Sequence, residues 1–369
     1  MKDVQGNKVG IVTVHKNTNF GANLQAFALN RYINNLGYDC ETIDYVPDDR
    51  GNHLWSWLKL SWDGETNKSF KRKIKLGVAL LLSMGWKHRR LKKFYKFRKK
   101  NIRLSPFCKT AADVDKLNFD TVVCGSDQIW NPAIINGVDP TYWGDIDGVK
   151  KRISYAASLG IKSYEPETEK KIAELVGAMD EVSLREEDSA RYIASISGKK
   201  TSCVCDPVFL LNKNEYEDIV DKRKIKGNYV LVYSIISNPV MVKIAEKYAE
   251  ERGLQLIEIC QGKSKDKHKQ IIDCGPGEFL NLMYYADAVF TNSFHGTAFG
   301  IIFEKDLYSV NNKHGGSRII NLLQKAGISD RLIEDYPEKQ SHIDYSKVEN
   351  NMKNYIGSSK EFLYKALAD

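Results

Sequence analysis

Val9-Gly10-Ile11-Val12-Thr13-Val14 is a nearly continuous run of apolar and β-branched residues, the pattern of a buried parallel strand. A polar loop over Lys16–Asn23 follows it. Apolar residues at helical spacing then predict a helix over Leu24–Asn35, which stops before Gly37, and a second strand over Cys40–Tyr45. Strand, loop, helix and strand in this order form the βαβ unit of a doubly wound sheet.

The same alternation of strands and helices returns in two further sets along the chain. Strands are predicted over 119–124, 152–156 and 181–184 in the first set, and over 229–235, 254–259, 288–291 and 307–310 in the second. Between the two sets, residues 212–227 are polar and rich in Lys, Glu and Asp, which favours a linker.

These patterns predict an α/β protein of two Rossmann-like doubly wound domains that face each other across a cleft. The N-terminal domain spans residues 1–211 and carries a basic helical insert at about 52–103. A linker over 212–227 leads to the C-terminal domain over 228–345, and a final helix over 346–369 can pack back on the N-terminal domain. Open parallel sheets bind ligands outside the carboxyl ends of their strands, so we expect the site in the cleft.

Length and composition suit such a fold. A chain of 369 residues is too long for one ordinary core, and its 42% hydrophobic and 28% charged residues are normal for a folded soluble protein. The seven cysteines are scattered and lack zinc-ligand spacing, so we predict reduced structural thiols and no metal site. The polar start of the chain does not resemble a secretory leader, and the longest apolar run, over 76–86, is too short for a bilayer. We therefore expect a cytoplasmic protein.

The formal charge of +8 is concentrated in one segment. Residues 66–112 hold sixteen Lys and Arg and no Asp or Glu, so the rest of the chain carries +8 − 16 = −8. Three interpretations stay open for this basic segment: a solvated helical arm, a contact with an anionic membrane surface, or a nucleic-acid contact. No nucleic-acid fold signature accompanies it, so nucleic acid is not among the expected partners.

Three polar motifs follow predicted strands. The first is the loop over 17–23 with Gln25, where a helix start favours an anion, Gly21 permits close backbone approach and Asn23 is a candidate N-cap. An ordinary capped loop explains the same residues. The second motif runs from Gly125 to Pro132, where Asp127 is able to orient a hydroxyl or act as a base. A turn held by Asp and Asn side chains is the alternative.

The third motif is Ser293-Phe294-His295-Gly296-Thr297, which lies between a predicted strand and a helix predicted over Thr297–Phe303. A helix dipole disfavours a histidine cation at this end, so His295 is an unexpected choice for a purely structural residue. It suits a ring that shuttles protons for a bound anion, although a satisfied neutral histidine remains the alternative. Arg185 stands before three acidic residues, an arrangement that composition alone assigns to a solvated helix start.

Several common enzyme signatures are missing from the sequence. No Gly-x-Gly-x-x-Gly follows the first strand, and neither a Gly-x-x-x-x-Gly-Lys-Ser/Thr loop nor a Gly-x-Ser-x-Gly elbow is present. Nicotinamide-dependent, ATP-hydrolysing and esterase functions are therefore disfavoured.

Taken together, the motifs resemble the polysaccharide pyruvyl transferase family over nearly the whole chain. The resemblance rests on six ordered motifs: Asn19-Phe20-Gly21-Ala22-Asn23-Leu24-Gln25-Ala26, Val123-Cys124-Gly125-Ser126-Asp127-Gln128-Ile129-Trp130-Asn131-Pro132, Arg152-Ile153-Ser154-Tyr155-Ala156-Ala157-Ser158, Ser183-Leu184-Arg185-Glu186, Cys205-Asp206-Pro207-Val208 and Asn292-Ser293-Phe294-His295-Gly296-Thr297.

The resemblance implies a fold like the two-Rossmann glycosyltransferase-B architecture. It also implies transfer of the pyruvyl unit of phosphoenolpyruvate onto two hydroxyls of one sugar as a cyclic ketal, with no cofactor beyond this donor substrate. His295 and Arg185 resemble the family positions that hold phosphoenolpyruvate, with His295 as proton donor, and Asp127 is the candidate that activates or orients a sugar hydroxyl. The remaining candidates for substrate binding are Asn19, Gly21, Asn23, Gln25, Ser126, Gln128, Asn131, Ser293, Gly296, Thr297 and Arg318.

The sequence departs from the family at one position. Many members carry arginine two places before the histidine, where this chain has Ser293. Serine cannot supply the bidentate charge of a guanidinium, so either Arg318 replaces it or the donor differs.

Two other functions stay open. A nucleotide-sugar glycosyltransferase of similar architecture would need a nucleotide pocket in the second domain, and a non-catalytic membrane-surface protein would use the basic segment alone. If the acceptor is a lipid-linked sugar, as the family often uses, the basic segment would hold the enzyme peripherally at the inner membrane face.

Overall fold

The computed structural model describes residues 7–47, 70–260, 262, 268–311, 316–337 and 342–368, with backbone alone over 70–83. The strands of the N-terminal domain are β1 (Lys8–Val12), β2 (Asp39–Tyr45), β3 (Leu104–Cys108), β4 (Thr121–Cys124), β5 (Lys151–Ala157), β6 (Glu181–Leu184) and β7 (Thr201–Cys203). Its helices are α1 (Phe20–Asn35), α2 (Phe70–Asn101), α3 (Ala111–Asp115), α4 (Pro132–Ile135), α5 (Pro166–Gly177) and α6 (Glu187–Ser197).

A short helix, α7 (Lys213–Glu217), lies inside the predicted linker and is closed by a capping box between Asn212 and Glu215. The strands of the C-terminal domain are β8 (Tyr229–Tyr233), β9 (Gln255–Ile259), β10 (Lys269–Ile271), β11 (Ala288–Thr291), β12 (Asp306–Val310) and β13 (Leu332–Ile333). Its helices are α8 (Pro239–Glu251), α9 (Pro276–Tyr285), α10 (Phe294–Ile302), α11 (Gly316–Ala326) and the last helix, α12 (Tyr345–Ala368).

Both sheets are parallel throughout their described strands. The first has the order β3-β2-β1-β4-β5-β6-β7 and the second the order β10-β9-β8-β11-β12-β13. In each sheet the connections reverse direction at one point, between β1 and β4 and between β8 and β11. The prediction of two doubly wound α/β domains is therefore confirmed, and the loops after these four strands are the expected place for a ligand.

The two domains share one apolar core. The Phe20 ring stacks on Phe279 at a centroid distance of 4.7 Å and on Phe94 at 5.4 Å, so side chains of α1, α9 and α2 meet at the junction. The last helix also contacts the N-terminal domain. There, Ser359 Oγ accepts a hydrogen bond from the Cys205 amide at 2.9 Å, and the Tyr355 hydroxyl donates to the Val204 carbonyl at 3.0 Å.

The described part of the basic segment is more than a solvated arm. Helix α2 buries Phe94 and Phe97 in the shared core, while Lys93 forms ion pairs with Asp273 at 3.3 Å and Glu278 at 2.9 Å in the C-terminal domain. Residues 52–69 of the predicted insert lie outside the described residues. Among the described helices, none is both long enough and apolar enough to cross a membrane.

Candidate active site

The loop after β1 differs from the sequence prediction in where its helix begins. Helix α1 starts at Phe20 rather than Leu24, and its N-cap is Asn19, whose side chain accepts a hydrogen bond from the Ala22 amide at 3.2 Å. The prediction of Asn23 as the cap is therefore wrong. Asn23 is buried in the first turn, where it donates to the Asn19 carbonyl at 2.8 Å and accepts from Arg98 Nη1 at 3.0 Å.

Two residues predicted to bind substrate, Gln25 and Ser126, instead form hydrogen bonds beneath the loops after β1 and β4. The Gln25 amide donates to Thr13 Oγ1 at 2.9 Å and accepts from the Ser126 backbone N–H at 3.1 Å, which ties the loop after β1 to the loop after β4. The Ser126 hydroxyl donates to the Ala156 carbonyl at 2.9 Å. Gln25 and Ser126 are both buried, so the structure places them beneath the cleft lining.

The loop after β4 directs Asp127 toward the cleft. Asp127 adopts a left-handed backbone conformation with φ of 70°, and its carbonyl accepts from the Ser158 amide at 3.0 Å. Its carboxylate lies 3.7 Å from Arg185 Nη2 and is 20% exposed, so it remains open to a ligand. Gln128 lines the same cleft, whereas Asn131 caps α4 by accepting from the Ala133 amide at 3.0 Å.

Arg185 is buried at the end of β6, in contrast to the solvated position that composition suggested. Its guanidinium donates to Asp206 at 2.6 Å and to Glu186 at 3.3 Å. It also lies 5.2 Å from the centre of the Phe294 ring, across the domain boundary. Burial alone would lower the pKa of Arg185, but the neighbouring carboxylates of Glu186, Asp206 and Asp127 raise it, so the guanidinium is held as a fixed cation.

The sequence predicts no role for Asp206, although it lies within one of the six family motifs. Its carboxylate is fully buried, accepts from Arg185 Nη1 and from the Val208 amide at 3.1 Å, and lies 3.4 Å from His295 Nε2. Burial would raise the pKa of Asp206, yet the charges of His295 and Arg185 hold it well below its usual range. One carboxylate from the N-terminal domain therefore joins the two candidate phosphoenolpyruvate-binding groups.

His295 lies inside α10, because the helix begins at Phe294 and not at Thr297 as predicted. Ser293 is the N-cap, and its hydroxyl accepts from the Gly296 amide at 3.2 Å. The Thr297 hydroxyl is buried against Ser309 and the Ser293 carbonyl, so Ser293, Gly296 and Thr297 all hold the helix start in place.

Gly21 packs directly against the His295 ring. A β-carbon built on Gly21 would lie 2.0 Å from His295 Nδ1, a distance that no side chain tolerates. The close backbone approach predicted for Gly21 is therefore made to an imidazole of the opposite domain, which positions this ring between the two domains.

Several buried polar atoms at this point have no hydrogen-bond partner among the described residues: Arg185 Nη2, Glu186 Oε2 and His295 Nε2. The His295–Asp206 contact has an ion-pair distance but lacks hydrogen-bond geometry. Buried polar groups normally have hydrogen-bond partners, so these atoms are the candidates for hydrogen bonds to a ligand.

The cleft itself is a space of about 250 Å³ between the two domains. The loops after β1, β4 and β11, together with α10 and α11, supply its polar lining: Asn17, Asn19, Asp127, Gln128, Asn292, His295 and Arg318. Arg318 also borders a smaller space beside Arg185, Glu186 and Asp206. Burial and the nearby Arg185 charge lower the pKa of Arg318. Within the described ranges, no group of three His, Cys, Asp or Glu side chains has the arrangement of metal ligands.

The two facing doubly wound domains have the glycosyltransferase-B architecture. UDP-GlcNAc 2-epimerase from Methanocaldococcus jannaschii has a TM-score of 0.50 and 12% identity over 98% of this chain and 99% of its own. HepE from Anabaena, crystallised with UDP and glucose, has a TM-score of 0.53 and 11% identity over 98% of this chain and 99% of its own. At these identities the likeness shows the fold alone.

Sequence comparison gives the family. Residues 19–314 match the polysaccharide pyruvyl transferase family, so the chain belongs to this family and is a transferase enzyme of polysaccharide biosynthesis. No curated protein matches the chain. The matched range contains His295, Arg185, Asp127 and Asp206 and ends just before Arg318.

We expect Gly21→Ala to reduce transferase activity at least 100-fold, because the new methyl group displaces the His295 ring. Alanine favours the helix by about 1 kcal/mol, which offsets part of the clash, so the thermal unfolding midpoint should change little. Gly277→Ala in α9 is the matched control, since its β-carbon would meet nothing closer than 3.9 Å. Activity of Gly21→Ala equal to that of the control would show that the His295 position is not critical.

We expect Asp206→Asn to lower the free energy of unfolding at pH 7 by about 3 kcal/mol, because it breaks a buried charge network. The folded-state pKa of Asp206 lies below its unfolded value of about 3.9, so its carboxylate stabilises the fold above that pH and loses this effect as pH falls through the folded pKa. In urea unfolding, the difference in the free energy of unfolding between wild type and variant should therefore become smaller below about pH 4.

Asp188→Asn is the control, because this ion pair with Arg191 is exposed and contributes at most about 0.5 kcal/mol. If Asp206→Asn lowers the free energy of unfolding by the same amount from pH 7 to pH 3, the Asp206 charge does not stabilise the fold as proposed.

Proposed function

We propose that the enzyme transfers the pyruvyl unit of phosphoenolpyruvate onto two hydroxyls of one sugar and releases inorganic phosphate. In this reaction the enol carbon gains a proton, and the adjacent carbon loses its bond to the phosphate oxygen and forms two bonds to sugar oxygens. One hydroxyl proton balances the proton given to the enol carbon, and the other leaves with phosphate. The observation that carries the proposal is the convergence of His295, Arg185 and Asp206 across the domain boundary.

His295 is the proposed proton donor. Its Nε2 lies 3.4 Å from the buried Asp206 carboxylate, which holds the ring at the domain boundary beside the cleft. Gly21 closes one side of the ring, which fixes its orientation relative to a donor in the cleft.

Two guanidinium groups and one helix start would hold the anionic donor. Arg185 offers Nη2, which has no hydrogen-bond partner among the described residues, and Arg318 borders both the cleft and the adjoining space. The first-turn amides of α10 add favourable positive potential. The Ser293 hydroxyl is already used by the Gly296 amide, so we propose that Arg318 supplies the charge that many family members place at that position.

Asp127 is the residue that we propose acts on the hydroxyl of the acceptor sugar. Its carboxylate faces the cleft together with Gln128 and Asn19, where it can orient or deprotonate a sugar hydroxyl. We propose no cofactor beyond the donor substrate, because proton transfer and charge stabilisation are both supplied by side chains of the chain itself.

We expect phosphate release from phosphoenolpyruvate when the wild-type enzyme meets the correct member of a panel of lipid-linked galactose, mannose and glucosamine acceptors. His295→Ala should lower this turnover by about 10²- to 10⁴-fold, the usual effect of a general acid, while the thermal unfolding midpoint is retained. The exposed His342→Ala serves as control.

Near-normal turnover of His295→Ala would remove the proposed role. Titration with UDP-glucose tests the glycosyltransferase alternative, which predicts binding that phosphoenolpyruvate does not displace.

We further propose that the enzyme works in the cytoplasm at the inner membrane face, through the outer face of α2. Met84, Leu91 and Tyr95 lie at helical spacing on this face and are each more than half exposed. Exposed lysines at 92, 96, 99 and 100 accompany them. Apolar and basic side chains on one helix face are complementary to anionic lipid headgroups, where a lipid-linked acceptor would be presented.

We expect Leu91→Glu to weaken co-sedimentation with phosphatidylserine-containing vesicles at least several-fold, because it adds a negative charge to the lipid-facing side. Tyr364→Glu, on the exposed side of α12, is the matched control. Deleting α2 is unsuitable because Phe94 and Phe97 belong to the core. Equal co-sedimentation of both variants and the wild type would contradict a membrane contact through this face.

A further inference from the structure

A second space adjoins the cleft on the side of helix α2. It measures about 240 Å³ and shares Asn17, Asn19 and Ile235 with the cleft, so the two spaces are neighbours. Its other lining residues come from the start of α1, the ends of β8 and β9, and α2: Thr18, Phe20, Tyr233, Ser234, Ile259, Cys260 and Arg90.

Arg90 brings a positive charge into this space. Its side chain comes from the middle of α2, lies over the rings of Phe20 and Phe94, and donates one hydrogen bond to the Thr18 carbonyl at 3.2 Å. The residue is only 9% exposed, and its Nε has no hydrogen-bond partner among the described residues.

No carboxylate of the described chain forms an ion pair with Arg90. The titratable groups that face it are the Tyr233 phenol and the Cys274 and Cys260 thiols, which are neutral in their ordinary state, and burial lowers the pKa of the guanidinium. A buried cation without a counter-charge is unfavourable for the fold by itself.

Other buried arginines in the described part of the chain show how this one differs. Arg185 has three carboxylate neighbours, and Arg331 pairs with Asp306 and Asp330. Arg98, two turns further along α2 than Arg90, donates to two carbonyls and the Asn23 amide oxygen. Arg185 and Arg331 thus have carboxylate partners and Arg98 has three hydrogen-bond acceptors, whereas the described residues offer Arg90 a single carbonyl acceptor.

The opposite wall of the space holds a second unsatisfied group. The Ser234 hydroxyl follows β8, is 8% exposed and lacks a hydrogen-bond partner among the described residues. The loop that carries it is fixed by Asn292, whose side chain accepts from the Ile235 amide at 2.9 Å and donates to the Ile236 carbonyl at 2.7 Å. A guanidinium edge and a hydroxyl therefore face one space from both domains.

We infer that this second space binds a phosphate or diphosphate group carried by the acceptor sugar. The inference rests on the proposed function, because a sugar in the cleft would extend its substituent into the adjoining space. Arg90 and Ser234 donate hydrogen bonds to the oxyanion, the start of α1 adds positive potential, and the ligand supplies the missing counter-charge.

Calorimetric titration with pyrophosphate tests this site apart from the chemistry. Arg90→Gln should weaken pyrophosphate binding at least 10-fold, because it removes the charge that the ligand neutralises. Arg89→Gln is the matched control on the same helix, since Arg89 is exposed and pairs with Asp273. It should bind pyrophosphate within about twofold of the wild type, whereas equal affinity of Arg90→Gln and the wild type would overturn the inference.

Phosphoenolpyruvate binding separates the two proposals. Arg318→Gln should weaken the binding of phosphoenolpyruvate and leave the affinity for pyrophosphate unchanged. Arg90→Gln should weaken the binding of pyrophosphate and leave the affinity for phosphoenolpyruvate unchanged. Loss of both ligands in Arg90→Gln would mean that the two spaces are one donor site, against the inference. If the wild type binds pyrophosphate through Arg90 but never binds phosphoenolpyruvate, the proposed function fails while the anion site stands.

A glycosyl diphosphate should bind more tightly than the matching methyl glycoside, and this difference should disappear in Arg90→Gln. Equal affinity of the two sugars for the wild type would show that the anion does not belong to the acceptor. A wild-type measurement covers the case in which Arg90→Gln does not fold: pyrophosphate should slow alkylation of Cys260, which lines the space, in peptide mapping. Unchanged alkylation at saturating pyrophosphate would contradict the site.

Discussion

The buried Asp206 carboxylate is the interaction on which the rest of the site depends. It carries a full negative charge away from water, which is unfavourable unless cations neutralise it. Arg185 comes from the same domain as Asp206, and His295 comes from the opposite domain. A single carboxylate therefore helps to fix the position of one domain relative to the other. The order of strands, the helix start at α10 and the glycine at position 21 all serve to bring these groups to one point.

The strands that carry the site were predictable because they are buried on both faces and therefore nearly continuous in apolar residues, as in β1, β4 and β8. Edge strands were missed for the opposite reason. Strand β3 contains Pro106, β10 has no fully buried residue and β13 has two residues. Helix starts were placed too late at α1 and α10, although Asn19 and Ser293 are favoured N-cap residues and indicated the true positions.

The charge arrangement was the part that local sequence could not reveal. Arg185 stands before three acids in the chain, yet its shortest ion pair is with Asp206, 21 residues away. Arg318 was a candidate from the sequence, but only the fold shows that it borders the cleft. Because hydrogen bonds and ion pairs depend on distance in space, only the folded chain shows that Arg98 has three hydrogen-bond acceptors while the Arg90 Nε has no partner among the described residues.

The last helix has a consequence for how the protein is made. Helix α12 leaves the ribosome after every other described element, yet Ser359 and Tyr355 complete hydrogen bonds to Cys205 and Val204 in the first half of the chain. During synthesis this edge of the N-terminal domain therefore stays uncovered until α12 has been made. Cotranslational folding can build both sheets in turn, but the native junction closes only after α12 has emerged from the ribosome, and until then the uncovered edge is exposed to misassembly.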